Sequence, residues 1–303
     1  MTLTRAYSKE ELIDMRTVLR HTFLVLLSLT FILPLILVIS ISLTSDSDLL
    51  EFGYRLIPNE VSFGAYKHIF LQPKKIVDAY KVTTIYSFVG TFLAVLVMSM
   101  VAYSLSRPVY KRKKIVTYYL FFTMLFGGGL IPSYIINTQW YHLGDTIWVY
   151  ILHGCVSVWH IIILRTFFQG LPDSLVDAAR IDGASEYRTF FSIVLPLSKP
   201  AIATIALMTL LAKWNDWNTS LVYIRTEELY SLQFLLQRIL REAEFLKKTA
   251  IDGTGPLDLS KMEIPAESTR FAMAVLAAGP MLVVFPFFQK YFTRGLTVGA
   301  VKG

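Results

Sequence analysis

The sequence predicts an all-α membrane protein with six transmembrane helices, and three observations support this fold class. Hydrophobic residues make up 54% of the 303 residues and charged residues only 17%, against about 45–50% and 25% in an average soluble domain. The mean hydropathy is +0.52. Six apolar stretches are each long enough to cross about 30 Å of hydrocarbon as a helix. A soluble protein of this composition would expose large apolar patches, and a disordered chain would carry more charge and fewer aromatic residues.

The six predicted spans each cover one continuous apolar stretch. In chain order they are residues 21–43, 80–106, 115–137, 146–168, 200–224 and 271–292. The first is too long for a cleaved signal peptide and follows 20 residues of mixed charge. We therefore expect residues 1–79 to form an N-terminal segment, the first span and an outer loop, residues 80–293 a core of five spans, and residues 294–303 a tail.

The distribution of lysine and arginine predicts the orientation of the spans. Four basic residues precede the first span, and residues 107–114 contain five, whereas residues 138–145 contain none. Short basic segments stay in the cytoplasm, so both termini are predicted to be cytoplasmic. In the longer loops, residues 44–79 and 225–270, acidic residues balance the basic ones, and loops of this length contribute little to the predicted orientation. The net charge of +7 thus indicates topology and contact with anionic membrane lipid, not nucleic-acid binding.

Two further helices are predicted outside the spans. Ser8 and Glu11 have capping-box spacing and would begin a short interfacial helix before the first span. In the long outer loop, apolar residues recur at helical spacing from Leu229 to Leu246. The apolar face of that helix needs cover, either from the protein's own outer surface or from a partner. A turn is predicted at residues 252–256.

Several chemical motifs are missing from the sequence. It contains no GxxxxGK[ST] phosphate loop, no HExxH and no GxSxG motif. His153 and His160 share a face of the fourth predicted span, but seven residues of helix separate them by about 10.5 Å, too far to ligate one metal. The single cysteine, Cys155, cannot form an internal disulfide. We therefore assign no catalytic, cofactor-binding or metal-ligating residue, and the chain is not expected to be an enzyme.

The segment between the fourth and fifth spans, residues 171–197, has the pattern of a short helix lying across the cytoplasmic face. Ser174 is a candidate N-cap, and Gly183 can end the helix in a left-handed conformation. Helical spacing then resumes until Pro196. The small Ala178 and Ala179 would let another surface approach closely. A plain amphipathic loop is the alternative interpretation.

A polar and aromatic cluster occupies the outer half of the fifth predicted span. Charged groups within a span are costly and usually face a cavity or a partner. Tryptophan faces beside amide side chains suit sugar binding, because sugar rings stack on aromatic faces and hydroxyls bond to amides. The alternative is an interfacial aromatic belt with Lys213 snorkelling to the headgroups. The residues predicted to line a substrate path are Trp214, Asn215, Trp217 and Asn218.

Three segments resemble permease subunits of ABC importers. The run from Asp177 to Ala184, with Phe190 and Pro196 behind it, resembles the EAA loop of that family, although the family usually has glutamate in place of Asp177. Residues 285–303 resemble the end of carbohydrate-type permeases. Residues 126–132, which include three consecutive glycines, are similar to a subgroup that handles larger, often uronic-acid-containing oligosaccharides. The resemblance covers about residues 80–303. On packing grounds alone, the glycines would instead allow close helix contact.

The resemblance implies a type I ABC-importer permease in the bacterial inner membrane. Such a chain forms half of a pore beside a homologous second permease, usually a different one. Two ATPase subunits hold ATP and Mg²⁺, and an extracytoplasmic solute-binding protein delivers an oligosaccharide such as an alginate or pectin fragment. The segment around residues 177–184 would be the coupling helix that docks on an ATPase. The residues implied in coupling are Asp177, Ala178, Ala179, Asp182, Gly183, Ala184, Phe190 and Pro196.

The main alternative is a self-sufficient secondary transporter or channel. A symporter is expected to carry acidic residues within its spans for ion coupling. Asp216 is the only acidic residue within the six predicted spans, which disfavours this alternative. A membrane-embedded enzyme is disfavoured because no catalytic constellation occurs.

Overall fold

The computed structural model describes residues 15–71, 73–251 and 267–300. These residues are mostly helical and contain no β-strand, so the predicted all-α class is confirmed for them. The capping box at Ser8 and the turn at residues 252–256 lie outside the described residues. The α-helices, in chain order, are α1 (Met15–Ser42), α2 (Asp46–Phe52), α3 (Gly64–Ile69), α4 (Pro73–Ser106), α5 (Lys113–Leu125), α6 (Leu130–Ile135), α7 (Ile147–Leu152), α8 (Val158–Gln169), α9 (Asp173–Ile181), α10 (Glu186–Thr189), α11 (Leu195–Leu197), α12 (Lys199–Trp214), α13 (Asn218–Tyr223), α14 (Leu232–Ile251) and α15 (Glu267–Ala300).

Three helices in the described part of the chain are long and apolar enough to cross a membrane. They contain Thr17–Ser42, Pro73–Ser106 and Glu267–Gln289, and they match the first, second and sixth predicted spans. Two bent helix pairs would raise the number to five if each pair were one span. The fourth predicted span is divided between α7 and α8 by residues 153–157. The structure therefore shows three to five candidate spans in place of six continuous helices.

The glycine triplet at residues 127–129 ends a helix. Lys113–Leu125 and Leu130–Trp140 meet there at an angle of 111°. Gly129 has φ +85°, which favours glycine, and an added Cβ at Gly127 or Gly129 would have no atom within 4 Å. An added Cβ at Gly128 would meet Pro132 Cβ at 3.6 Å, so within the described chain only Pro132 lies near the triplet.

The chain divides into two compact units, and the first consists of Met1–Lys67 and Ala266–Val275. Its helix α1 carries exposed apolar side chains along most of its length. Polar contacts hold the loop that follows α1 to the start of α15 within this unit. The hydroxyl of Tyr54 donates to Glu267 Oε2 at 2.5 Å, and the N–H of Ser268 donates to Asp46 Oδ1 at 3.3 Å.

The second unit, His68–Pro265 and Leu276–Gly303, is built around α4. This helix packs against α7, α8 and α12. Small residues on its buried face, including Gly90, Ala94 and Ala102, let the neighbouring helices approach closely. One apolar cluster surrounds Met98 and Leu164, and a second surrounds Tyr86 and Tyr150. The two clusters mark opposite ends of the unit.

The helix predicted in the outer loop is present as α14. It begins at Leu232, three residues after the predicted start, and follows a short 3-10 turn at Glu227–Leu229. The N–H of Leu232 donates to Thr83 Oγ1 on α4 at 2.9 Å. The start of α14 is therefore fixed on the end of the second unit.

Candidate functional sites

The first site is the segment from α9 to α11, which Arg107 attaches to the end of α4. The Arg107 side chain is buried, and its Nη2 donates to the Phe168 carbonyl at 2.9 Å. Its Nη1 lies 3.6 Å from Asp173 Oδ1 in the first turn of α9, and its guanidinium lies over the Tyr103 ring. One arginine therefore connects α4, the end of α8 and the start of α9. From the sequence alone, Arg107 was recognisable only as one of the basic residues that predict topology.

Helix α9 has one face toward the chain's own core and one toward solvent. Val176 and Ala179 are buried at 3% and 5% exposure. Asp177, Ala178 and Asp182 are exposed on the other face. Of the predicted pair of small residues, Ala178 is therefore the one that an approaching protein would meet. Ala179 contacts the core of this chain.

The ends of α9 follow from local backbone chemistry. Gly183 has φ +74°; its N–H donates to the Arg180 carbonyl and that of Ala184 to the Ala179 carbonyl, which is a Schellman ending. The predicted role of Gly183 as helix terminator is thus confirmed. The predicted Ser174 cap is wrong: Pro172 occupies the N-cap position without a side-chain hydrogen bond, and Ser174 already lies inside the helix.

A chain of polar contacts joins α9 and α10 to α4. Arg180 donates to Glu186 Oε1 through Nε at 3.1 Å and Nη2 at 2.9 Å. The Tyr103 hydroxyl donates to Glu186 Oε2 at 2.6 Å. Asp177 Oδ1 lies 3.5 Å from Arg180 Nη1. The hydrogen bond from Tyr103, assisted by the Arg180 guanidinium, holds the pKa of the Glu186 carboxyl below its usual value.

The remaining predicted coupling residues lie where this segment turns into α12. Phe190 is buried at 2% exposure and packs near the Tyr103 ring, with centroids 5.2 Å apart. Pro196 is exposed and lines a cavity of about 500 Å³ together with Lys199 and Phe287. The chain bends by 83° between Glu186–Leu197 and Lys199–Trp214. Phe190 therefore anchors the segment, and Pro196 lies at its surface.

The second site is the polar and aromatic cluster at the junction of α12 and α13. Trp214 is buried at 2% exposure, and its Nε1 donates to the Ala277 carbonyl at 2.9 Å. Asn215 and Asn218 are exposed, whereas Trp217 is half-buried with the Arg241 guanidinium 5.3 Å from its ring. Three of the four predicted path residues are therefore accessible in this chain, and Trp214 packs internally.

Lys213 does not snorkel to the surface. It is buried at 8% exposure, and its Nζ donates to the Tyr150 carbonyl at 2.8 Å and the Ile151 carbonyl at 3.4 Å. A Cβ on Gly90 would lie 2.8 Å from Lys213 Cε, so glycine leaves the room that this lysine occupies. The snorkelling alternative is therefore wrong, because the ammonium group binds the last carbonyls of α7.

A buried network of hydroxyl groups surrounds this lysine. Tyr86 and Tyr150 stack with centroids 4.4 Å apart, and the Tyr86 hydroxyl donates to the Lys213 carbonyl at 3.0 Å. The Tyr150 hydroxyl lies 2.6 Å from Ser220 Oγ, which lies 2.9 Å from Ser231 Oγ. Because this network joins α4, α7, α13 and the start of α14, it fixes the second site as a single rigid cluster.

The two histidines of the fourth predicted span lie in different surroundings. His153 follows α7, and its Nδ1 lies 3.1 Å from Asn137 Nδ2, whereas His160 lies in α8. The described residues contain no group of three or more His, Cys, Asp or Glu side chains that could hold a metal ion.

At the same end of the second unit, Asp145 ties two loops together. Its carboxylate accepts hydrogen bonds from the N–H groups of Arg225 and Thr226, both at 2.9 Å, and from the Thr226 hydroxyl at 2.6 Å. The Thr226 hydroxyl in particular lowers the pKa of the Asp145 carboxyl. Sequence reasoning missed this contact, which depends on two segments 80 residues apart.

Comparison with known proteins places the chain among transport proteins. Residues 13–298 match the family described as binding-protein-dependent transport system inner membrane component. The chain is 34% identical to the polygalacturonan/rhamnogalacturonan transport system permease protein YtcP of Bacillus subtilis, over 97% of this chain and 100% of that protein. It is 35% identical to the protein LplC of Bacillus subtilis over 90% of each chain.

A solved structure has the same fold. It is described as the crystal structure of a bacterial ABC transporter involved in the import of the acidic polysaccharide alginate. The TM-score is 0.74 and the sequence identity 27%, with 95% of this chain and 100% of that chain covered.

Proposed function

Because this chain belongs to the family of binding-protein-dependent transport system inner membrane components, we propose that it is the permease subunit of an ABC importer that takes up an acidic, uronate-containing oligosaccharide. The observation that supports the substrate class is the likeness, over nearly the whole chain, to a permease named for polygalacturonan/rhamnogalacturonan and to a chain of an ABC transporter involved in alginate import. Both polymers consist largely of uronic acid units. The solute crosses the membrane unaltered.

The coupling role rests on the segment from α9 to α11. The exposed face of α9, with Asp177, Ala178 and Asp182, is the surface that would meet an ATPase subunit. The opposite face is anchored to α4 through Arg107 and through the Tyr103–Glu186 contact. A push on α9 is therefore transmitted to the long helix α4 as a rigid displacement. ATP and Mg²⁺ would bind on the ATPase subunits.

Further subunits are needed to complete the transporter. Helix α5 has no buried residue in the described chain, and α1 exposes most of its apolar side chains. Lipid and a homologous second permease would cover these surfaces. The end of the second unit that carries α14 would face a soluble, extracytoplasmic solute-binding protein. Six membrane crossings with both termini in the cytoplasm fit this arrangement, the fourth crossing being the divided pair α7 and α8.

The sugar path would pass the exposed part of the second site. Asn215 and Asn218 offer amide groups to hydroxyls, and half-buried Trp217 offers part of a ring face. Trp214 is buried beneath these residues, and its Nε1 holds it in place by donating to the Ala277 carbonyl.

Uptake by the reconstituted complex tests the substrate class. Proteoliposomes containing this chain, its partner permease, the ATPase subunits and the binding protein should accumulate labelled trigalacturonate with internal ATP. Maltotriose, a neutral trisaccharide, is the matched control and should not enter. Omission of the binding protein should reduce uptake to background. Preferential uptake of maltotriose would contradict the acidic assignment.

A further inference from the structure

The segment between α7 and α8, residues 153–157, is non-helical within a predicted membrane span. We call it the break segment. Gly154 and Val156 are exposed within it, Val156 at 47%. The N–H groups of these two residues form no hydrogen bond with the rest of the described chain. A free peptide group in hydrocarbon costs several kcal/mol, so non-helical backbone at membrane depth occurs only against protein or water.

The inner side of the break segment is fixed by its neighbours. Lys213 Nζ bonds to the carbonyls of Tyr150 and Ile151, which a continuing helix would use for the next turn. The N–H of Ser157 donates to Met98 Sδ at 3.3 Å. Helix α12 thus binds the end of α7 just before the break segment, and α4 binds the last residue of the break segment.

The outer side of the break segment is open. Gly154 has φ +64°, and a Cβ added there would have no atom within 4 Å. The side chains of Asn137 and His153 lie next to each other beside the break, 3.1 Å apart. Asn137 is buried and His153 half-buried, so this pair supports the break segment, and the exposed groups are the peptide groups of Gly154 and Val156.

We propose that the break segment forms a polar wall of the translocation path and exchanges hydrogen bonds with the hydroxyls of the saccharide in transit. The proposal rests on the proposed function for the identity of the ligand. Lipid tails cannot satisfy the free peptide groups, whereas water and sugar hydroxyls can. Unwound stretches between half-helices are the usual place for substrate contacts in other membrane transporters.

The experiment measures thiol labelling in the assembled complex. Cys155 is the chain's only cysteine, so Cys155→Ser supplies a clean background on this subunit. Val156→Cys places a thiol on the break segment. Val89→Cys is the matched control, because Val89 is a valine of similar exposure, 41%, on the uninterrupted helix α4. Each complex in proteoliposomes is treated with a charged, membrane-impermeant thiosulfonate, and the mass of this subunit is followed with time.

The thiol at position 156 should react about tenfold faster than that at position 89, because thiolate forms in water and not in lipid. Saturating trigalacturonate should slow the reaction at position 156 only. Equal, slow rates would overturn the proposal and would mean that lipid or the second permease covers the break segment. Fast labelling that trigalacturonate leaves unchanged would overturn the saccharide contact.

Uptake measured on the same proteoliposomes separates this proposal from the proposed function. ATP-dependent uptake of trigalacturonate together with slow labelling would refute the break-segment proposal alone. Absence of uptake by the unmodified complex would refute the proposed substrate class, whereas the labelling rates without saccharide would still decide whether the break segment faces water.

Discussion

At the scale of single residues, Lys213 has the least expected position in the chain. A buried ammonium group in a membrane protein is costly unless it is paired. Here it is paired with the two carbonyls at the end of α7, where the helix dipole places negative charge. Gly90 is required beside it, since any larger side chain would contact the lysine methylenes. The two residues therefore stabilise the end of α7 together.

Lys213→Met retains most of the side-chain volume and removes the donors. It leaves two buried carbonyls unpaired, at about 1–3 kcal/mol each, and we expect uptake per assembled complex to fall about tenfold. Gly90→Ala should produce a similar fall by displacing the lysine, and the double variant should be no worse than the single variants.

Lys81→Met is the matched control for these two variants. Lys81 is an exposed residue of α4 whose pairing with Asp78 is a surface contact, so uptake should stay unchanged. Normal uptake by Lys213→Met would contradict the role given to the buried lysine.

At the scale of elements, the sequence predicts uninterrupted helices well and broken ones poorly. Helices α1, α4 and α15 were predictable because each contains a long, uninterrupted run of apolar residues. Helix α9 was predictable because Gly183 gives a local stop. The break at residues 153–157 was not predicted, although Gly154 has φ +64° and the Ser157 side chain caps α8. Lys213, which lies 63 residues after Tyr150, binds the two carbonyls just before the break.

The residues of the first functional site divide in the same way: local sequence predicts some of them, and only the folded chain brings the others together. The exposed face of α9 follows from its own sequence. Of the anchors, Tyr103 and Arg107 lie at the end of α4, whereas Glu186 lies in α10 about 80 residues later, and their contacts arise only when α4 packs beside α9 and α10. A single sequence carries no spacing pattern that joins them.

The Tyr103–Glu186 contact makes a pH prediction. The pKa of the Glu186 carboxyl is lower in the folded protein than in the unfolded chain, so the contact stabilises the protein above the unfolded pKa of about 4.3. That contribution is lost as pH falls through the folded pKa. At pH 7, Glu186→Gln should lower the unfolding temperature of the purified chain by about 2 °C, and the difference from the unmodified chain should vanish in acid.

Glu51→Gln is the control for this measurement. Glu51 is exposed, and no hydrogen bond or ion pair in the described part of the chain involves its side chain. It should unfold like the unmodified chain at every pH. A Glu186→Gln difference that persists unchanged in acid would show that the carboxylate charge is not the cause.

At the scale of the whole molecule, the chain has the features of one component of a larger machine. It has no phosphate-binding loop of its own, yet it presents a small exposed helix that is anchored to a core helix. Exposed apolar surface on α1 and α5 requires cover in the membrane. These features are explained together if ATP hydrolysis on separate subunits moves the membrane part through α9.

The most direct test of this account is the ATPase activity of the assembled complex with Ala178→Arg. Ala178 is exposed on α9, so arginine there should leave the permease folded while it obstructs docking. Binding protein loaded with trigalacturonate should stimulate the unmodified complex and an Ala178→Ser control, whereas Ala178→Arg should lose stimulation or release the ATPase subunits. Full stimulation of Ala178→Arg, or uptake on an ion gradient without any ATPase subunit, would contradict the account.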